Sequence, residues 1–176
     1  MSYISSMKKT LLIFILILLY SSKMNAMEVQ NKDLVYDDNI KTVLLHPPSD
    51  QLLPPVLRLN STDKLRLSFD DMSPESYQFK YTFVHCTENW ETSDLDQMDY
   101  LNGFFEDDIT QYEFSLNAIP PYIHYDLVFP NRNMQIKLSG NYILKVYIDS
   151  PDDGNVIFTK RFFVVEQLVK VEASIP

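Results

Sequence analysis

Three histidines, one cysteine and two runs of acidic residues are the side chains here with the most obvious chemistry. His46, His85 and His124 stand far apart, with no His-x-x-x-His pair and no paired-cysteine motif. Zinc ligation lacks its usual spacing, and no cofactor or metal is expected. His85 adjoins Cys86, the only cysteine, which on paper sets a base beside a nucleophile. Both end the run Tyr77 to Cys86, whose alternation reads as a strand, and neighbours on a strand point to opposite faces. The pair is therefore expected to pack and hydrogen-bond rather than react, with Cys86 buried as a small apolar residue.

Acidic residues gather at Asp94, Asp96 and Asp99 and again at Glu106, Asp107 and Asp108. Asp94-x-Asp96 has the opening spacing of a calcium loop. Position six, however, is Asp99 where that loop needs glycine, and position twelve is Phe105 where it needs glutamate. The cluster reads as a solvated acidic face. Asp70 and Asp71 close a strand before Met72-Ser73-Pro74, and turn capping is their expected role in preference to acid–base work. The Asn60-Ser61-Thr62 sequon matters only in a source that glycosylates exported chains. Trp90, the sole tryptophan, shares the segment 87–108 with Tyr100, Phe104 and Phe105. If exposed, these four rings are the candidate contacts for a partner or a sugar. The competing reading folds the segment back over the body, with the rings as a small core of its own.

The elements that must position these groups are strands. Tyr and Phe number 11 each, which favours pleated, half-buried surfaces, and ten prolines punctuate the chain where only three glycines do. Lys64 to Phe69 alternates Leu65, Leu67 and Phe69 with Lys64, Arg66 and Ser68. Tyr77, Phe79, Tyr81 and Phe83 share a face opposite Gln78, Lys80 and Thr82. Further strands are expected at Asn39 to Leu45, Val56 to Leu59, Ile109 to Asn117, Tyr122 to Phe129 and Asn141 to Ile148. The turn Ser150 to Asn155 joins the last of these to Val156 to Glu166 as a hairpin, and Val169 to Ala173 is a possible final strand. Segment 87–108 lacks strand periodicity and reads as one long irregular loop with a helical turn around Asp96 to Leu101. Seven or eight short strands of this kind predict an antiparallel β-sandwich.

The N-terminus has the order of a secretory signal: Lys8 and Lys9, the apolar run Leu11 to Tyr20, then a polar end with Ala26 at a plausible cleavage position. That run is half of the roughly 20 residues a membrane span requires, so a signal peptide over 1–26 is expected, followed by one domain over 27–176. Of the 15 basic residues Lys8, Lys9 and Lys23 leave with the signal, so 12 remain against 24 acidic ones, a formal charge of −12. Such a surface repels phosphate backbones and anionic lipids, disfavouring nucleic-acid binding and direct membrane insertion. A lone cysteine leaves the fold to rest on its core, without an internal disulfide.

Several motifs, in order, resemble the N-terminal domain of the type IX secretion system plug protein family, exported proteins of the Bacteroidetes. They are Asn39 to Val43, Leu67-Ser68-Phe69-Asp70-Asp71, His85-Cys86-x-x-x-Trp90, and Tyr100-Leu101-x-Gly103-Phe104. His124-Tyr125 with Phe129-Pro130-Asn131, Ser139-Gly140-Asn141-Tyr142 leading to Val146-Tyr147, and Arg161-Phe162-x-Val164 complete the set. The resemblance implies an immunoglobulin-like first domain in a periplasmic, non-enzymatic protein. Its implied partner is the outer-membrane translocon barrel, whose periplasmic mouth it closes when no cargo-bound partner is seated. Members usually continue into a further β-rich region, whereas this sequence stops at Pro176. The rival expectation is an exported carbohydrate-binding sandwich that uses Trp90 and Tyr100 as stacking platforms. A hydrolase built on Asp70 or the loop acids has no spacing to recommend it.

Overall fold

The computed structural model describes residues 31–73, 76–167 and 169. The expected signal peptide lies outside these residues, as does the expected last strand apart from Val169. Along the chain run β1 (Leu34–Val35), β2 (Ile40–His46), β3 (Val56–Arg58), β4 (Leu65–Asp71) and β5 (Phe79–Cys86). There follow a helical turn α1 (Gln97–Tyr100), β6 (Leu101–Gly103), β7 (Glu106–Asp108), β8 (Gln111–Phe114) and β9 (Ile123–Phe129). β10 (Met134–Ile136), β11 (Gly140–Ile148) and β12 (Val156–Val165) complete the order.

Two sheets form the body, one ordered β2-β4-β9-β8 and the other β1-β12-β11-β5-β7, with β3 added in parallel to β12. The first has the A-B-E-D order of an immunoglobulin sandwich and the second has its G-F-C-C′ order. A two-stranded ladder of β6 with β10 lies beside them. Eight of the twelve strands match the expected number, and the others, β1, β6, β7 and β10, are ladders of two or three residues. Segments that short carry no readable period. β6, paired with β10, and β7, paired with β5, give order to the long connection after β5, where the sequence showed only a loop with a helical turn. The strand expected over Ile109 to Asn117 is shorter, because Ile109 turns into the core and Asn117 takes φ 56°.

The sheets meet through aromatic rings. Phe69 on β4 touches Phe79 of β5 at 5.2 Å and Phe158 of β12 at 5.0 Å between centroids. Phe129 on β9 touches Phe83 at 4.9 Å and Phe162 at 5.3 Å. All six of these rings are buried. Burying each contributes about 1.5–3 kcal/mol, and the edge-to-face and tilted geometries suit the ring quadrupoles. This apolar layer replaces the disulfide found in many sandwiches of the type. Near the start of β11 the Tyr142 hydroxyl donates to the Leu138 carbonyl at 2.8 Å, the tyrosine corner of immunoglobulin folds. Cys86 is a free, buried thiol that burial pushes up to about 11.

Candidate partner-contact surface

The long connection after β5 is held against the sandwich by named bonds. Tyr100, at the end of α1, is only 4% exposed. Its hydroxyl donates to the Phe83 carbonyl at 3.3 Å, and its ring packs against Tyr142 and His85. The Thr82 hydroxyl donates to the Phe105 carbonyl at 2.6 Å and accepts from Gln97 at 3.2 Å, which ties the middle of the segment and its far end to one point on β5. Glu106 accepts from Tyr147 at 2.6 Å and from Lys80 at 3.1 Å, bonds that hold its carboxyl below the usual range and seat β7 on β5. Gly103 (φ 98°) lets the chain turn where an added Cβ would lie 2.1 Å from the Asn133 carbonyl oxygen. The Phe104 amide donates to that same oxygen at 2.7 Å.

The structure separates the four candidate rings. Phe104 (62% exposed) and Phe105 (40%) project from this pinned turn. Tyr100 belongs to the core, so its expected contact role is corrected: its ring anchors the loop from within. Trp90, at φ 66°, lies over β12, with the Arg161 guanidinium 4.2 Å above its ring and Phe163 packed edge-on at 5.3 Å. With Tyr100 buried and Trp90 covered, the two rings offer a sugar no shared platform.

The other chemical candidates also find structural posts. His85 joins the Ser93 hydroxyl at 2.9 Å and packs on Tyr142 in the core-side row, while Cys86 faces the other way. Asp71 caps its turn, accepting from the Ser73 amide at 2.8 Å. Asp70 departs from the capping expectation: it points to the outer face and meets His124 Nδ1 at 2.6 Å, because β4 and β9 pair these two residues directly. Asp99 accepts from the Asp96 amide at 3.0 Å, so these two acids of the cluster close the cap of α1. Among the described residues no group of three or more His, Cys, Asp or Glu side chains is placed to hold a metal ion.

One further feature escaped the reading of individual motifs. From Tyr81 to Asn131 the chain has ten acidic residues and no Lys or Arg. Folding joins the two ends of that stretch, where Asn131 donates to the Tyr81 hydroxyl at 2.8 Å, and sets its middle strands β7 and β8 at the edges of the two sheets, with Asp107, Asp108, Gln111 and Asp126 lining one groove. This acidic flank also carries exposed rings, Tyr112 (53%) and Phe114 (64%) on β8. Leu116 and Ile119 follow them, fully in solvent. The missing basic residues were the available signal in the sequence.

Residues 40–166 match the type 9 secretion system plug protein 1st domain. This chain belongs to that family. Membership ties the plug domain to type IX secretion, and so to an exported, secretion-related protein. A crystal structure of a hypothetical protein from Parabacteroides merdae superposes with a TM-score of 0.73 at 32% identity. The match covers 78% of this chain and 34% of that one, so the plug domain spans about a third of that relative. Alkylpurine DNA glycosylase AlkC of Pseudomonas fluorescens, bound to DNA with an abasic site analog, gives a TM-score of 0.41 at 12% identity, over 72% of this chain and 30% of that one. That likeness is too slight to carry an argument. No curated protein matches.

The plug-domain motifs are joints of the fold. Gly140 sits where a Cβ would fall 2.4 Å from His85 Nε2. Asn131 accepts from the amides of Asn133 and Met134, both at 2.9 Å, and donates to Tyr81 at 2.8 Å. Tyr142 makes the corner. These residues build the body.

Proposed function

We propose that this protein is a non-enzymatic plug-type component of type IX secretion, closing the periplasmic side of the outer-membrane translocon by protein–protein contact. The observation that carries the reading is the family match over residues 40–166. The physical build supports it. A plug must hold its shape while its rim makes contacts, and a sandwich cored by interlocked rings does so without a polarised site. The exposed rings Phe104, Phe105, Tyr112 and Phe114 on an acidic flank supply contact chemistry. The periplasm is the compartment in which such a body meets the barrel's inner mouth.

The test is recovery of the partner from a detergent-solubilised outer membrane, with the tagged protein as bait. A large translocon barrel should co-purify with wild type and be depleted in the double variant F104S/F105S. If the barrel is absent and polysaccharide is retained instead, the plug reading fails.

A further inference from the structure

We infer that the outer edge of β8 is a strand-addition site, taking an extended partner segment whose side chains alternate between apolar and basic. The backbone sets the geometry. The Ser115 amide donates to the Tyr122 carbonyl at 2.9 Å, and Glu113 pairs with His124 and Gln111 with Asp126. In an antiparallel ladder, alternate residues direct both backbone groups at the partner strand. Ser115, Glu113 and Gln111 thus face β9, and the N–H and C=O of Tyr112 and Phe114 face outward. Among the described residues no strand covers that edge.

Exposed edges are usually blunted by lysine, proline, a bulge or a charged tip. The edge of β2 carries Lys41 and a register shift between Lys41 and Leu44, with Thr42 at φ 52°. β7 consists of Glu106, Asp107 and Asp108. β8 has no lysine, proline or bulge, and its one charge, Glu113, is acidic: its four residues pair with β9 in unbroken register. Its rings Tyr112 and Phe114 stand on one face, 5.7 Å apart at 89°, and an added strand would lay apolar residues across them.

Charge selects the occupant. Glu113 points to the opposite face, across from His124; Asp126 on that face is already paired with Arg66, and Asp107 and Asp108 line the groove next to Gln111. With no Lys or Arg from Tyr81 to Asn131, a segment offering basic residues on that face is attracted and an acidic one repelled. A second copy of this chain brings the same acidic flank, and a four-residue ladder falls far short of the ~1,200 Å² of a stable interface. The inference extends the plug reading without depending on it, because it concerns any partner segment of this chemistry.

The test uses the purified protein and two synthetic heptapeptides, one alternating Lys with Ile and Val, the other with Glu in place of Lys. Fluorescence anisotropy should show the basic peptide binding at least roughly tenfold more tightly at low salt, with the preference narrowing as salt rises. Amide exchange at Tyr112 and Phe114 should slow when it binds. Phe114→Pro removes an outward N–H together with the ring, at a position where an edge strand tolerates proline, and should weaken binding at least roughly tenfold and by more than Phe114→Ser, which removes the ring alone. Phe114→Ser, which keeps the N–H, should retain the amide protection at Tyr112 with weaker affinity. Failure of the basic peptide to bind, equal binding of the two, unprotected amides at Tyr112 and Phe114, or sedimentation as a dimer that Phe114→Pro dissociates would each overturn the inference.

Discussion

Truncating Phe162 measures whether the layer between the sheets is what holds this protein together. The ring is fully buried and touches Phe83 at 5.5 Å, Phe129 at 5.3 Å and Tyr142, stacked, at 5.3 Å. It links β12 to β5, β11 and β9, so three neighbours lose a partner at once. A buried Phe→Ala change costs about 3–5 kcal/mol, transfer and cavity together. Against a total stability of about 5–15 kcal/mol that is a large share. For a domain of this size it lowers Tm by about 6–20 °C and the urea midpoint by about 2 M. The control is Phe104→Ala on the exposed turn, expected to stay within about 0.5 kcal/mol. Both are read by urea unfolding, with far-UV circular dichroism for the sheets and Trp90 fluorescence for the loop docked on β12. If Phe162→Ala costs less than about 1.5 kcal/mol, or if Phe104→Ala costs as much, the division of labour between ringed core and contact flank is wrong.

Gly103→Ala places a side chain at φ 98° and 2.1 Å from a backbone oxygen; it should cost at least ~2 kcal/mol and speed amide exchange at Phe104, both absent if the turn relaxes freely. With its thiol at about 11, Cys86 is about one part in a thousand thiolate at pH 8, so iodoacetamide should label the native protein at least about a hundredfold more slowly than the urea-unfolded chain. Hydrogen bonding to Arg58 first, with its charge adding, holds Asp63 down to about 2 against an ordinary 3.8. A lowered folded value means the stabilisation is present above pH 4 and is lost as pH falls towards 2. The wild-type advantage over Asp63→Asn in urea midpoint, small for so exposed a pair, should therefore shrink between pH 5 and pH 2.5.

Wherever the residue order itself carried a period, the sequence determined the outcome. The alternation in Lys64 to Phe69 and Tyr77 to Cys86 specified strands and their inner faces, since a pleated strand turns every second side chain the same way. The same rule separated His85 from Cys86 before any coordinates. Prolines and turns such as Ser150 to Asn155 marked the boundaries between strands, and the ordered motifs disclosed the family. What remained depended on which distant residues become neighbours. Nothing local distinguishes Tyr100 from Phe104 as exposed or buried; the outcome follows from α1 docking on β5, where the Tyr100 hydroxyl finds the Phe83 carbonyl. Asp70 and His124 lie 54 positions apart and meet only because β4 and β9 pair in that register. Likewise the lack of Lys and Arg from Tyr81 to Asn131 is a sequence fact, but it becomes a flank only when two sheet edges are brought side by side. Short-range order is written in single side chains and their spacing, whereas surfaces are made by packing, which acts on pairs of residues that the linear chain keeps apart.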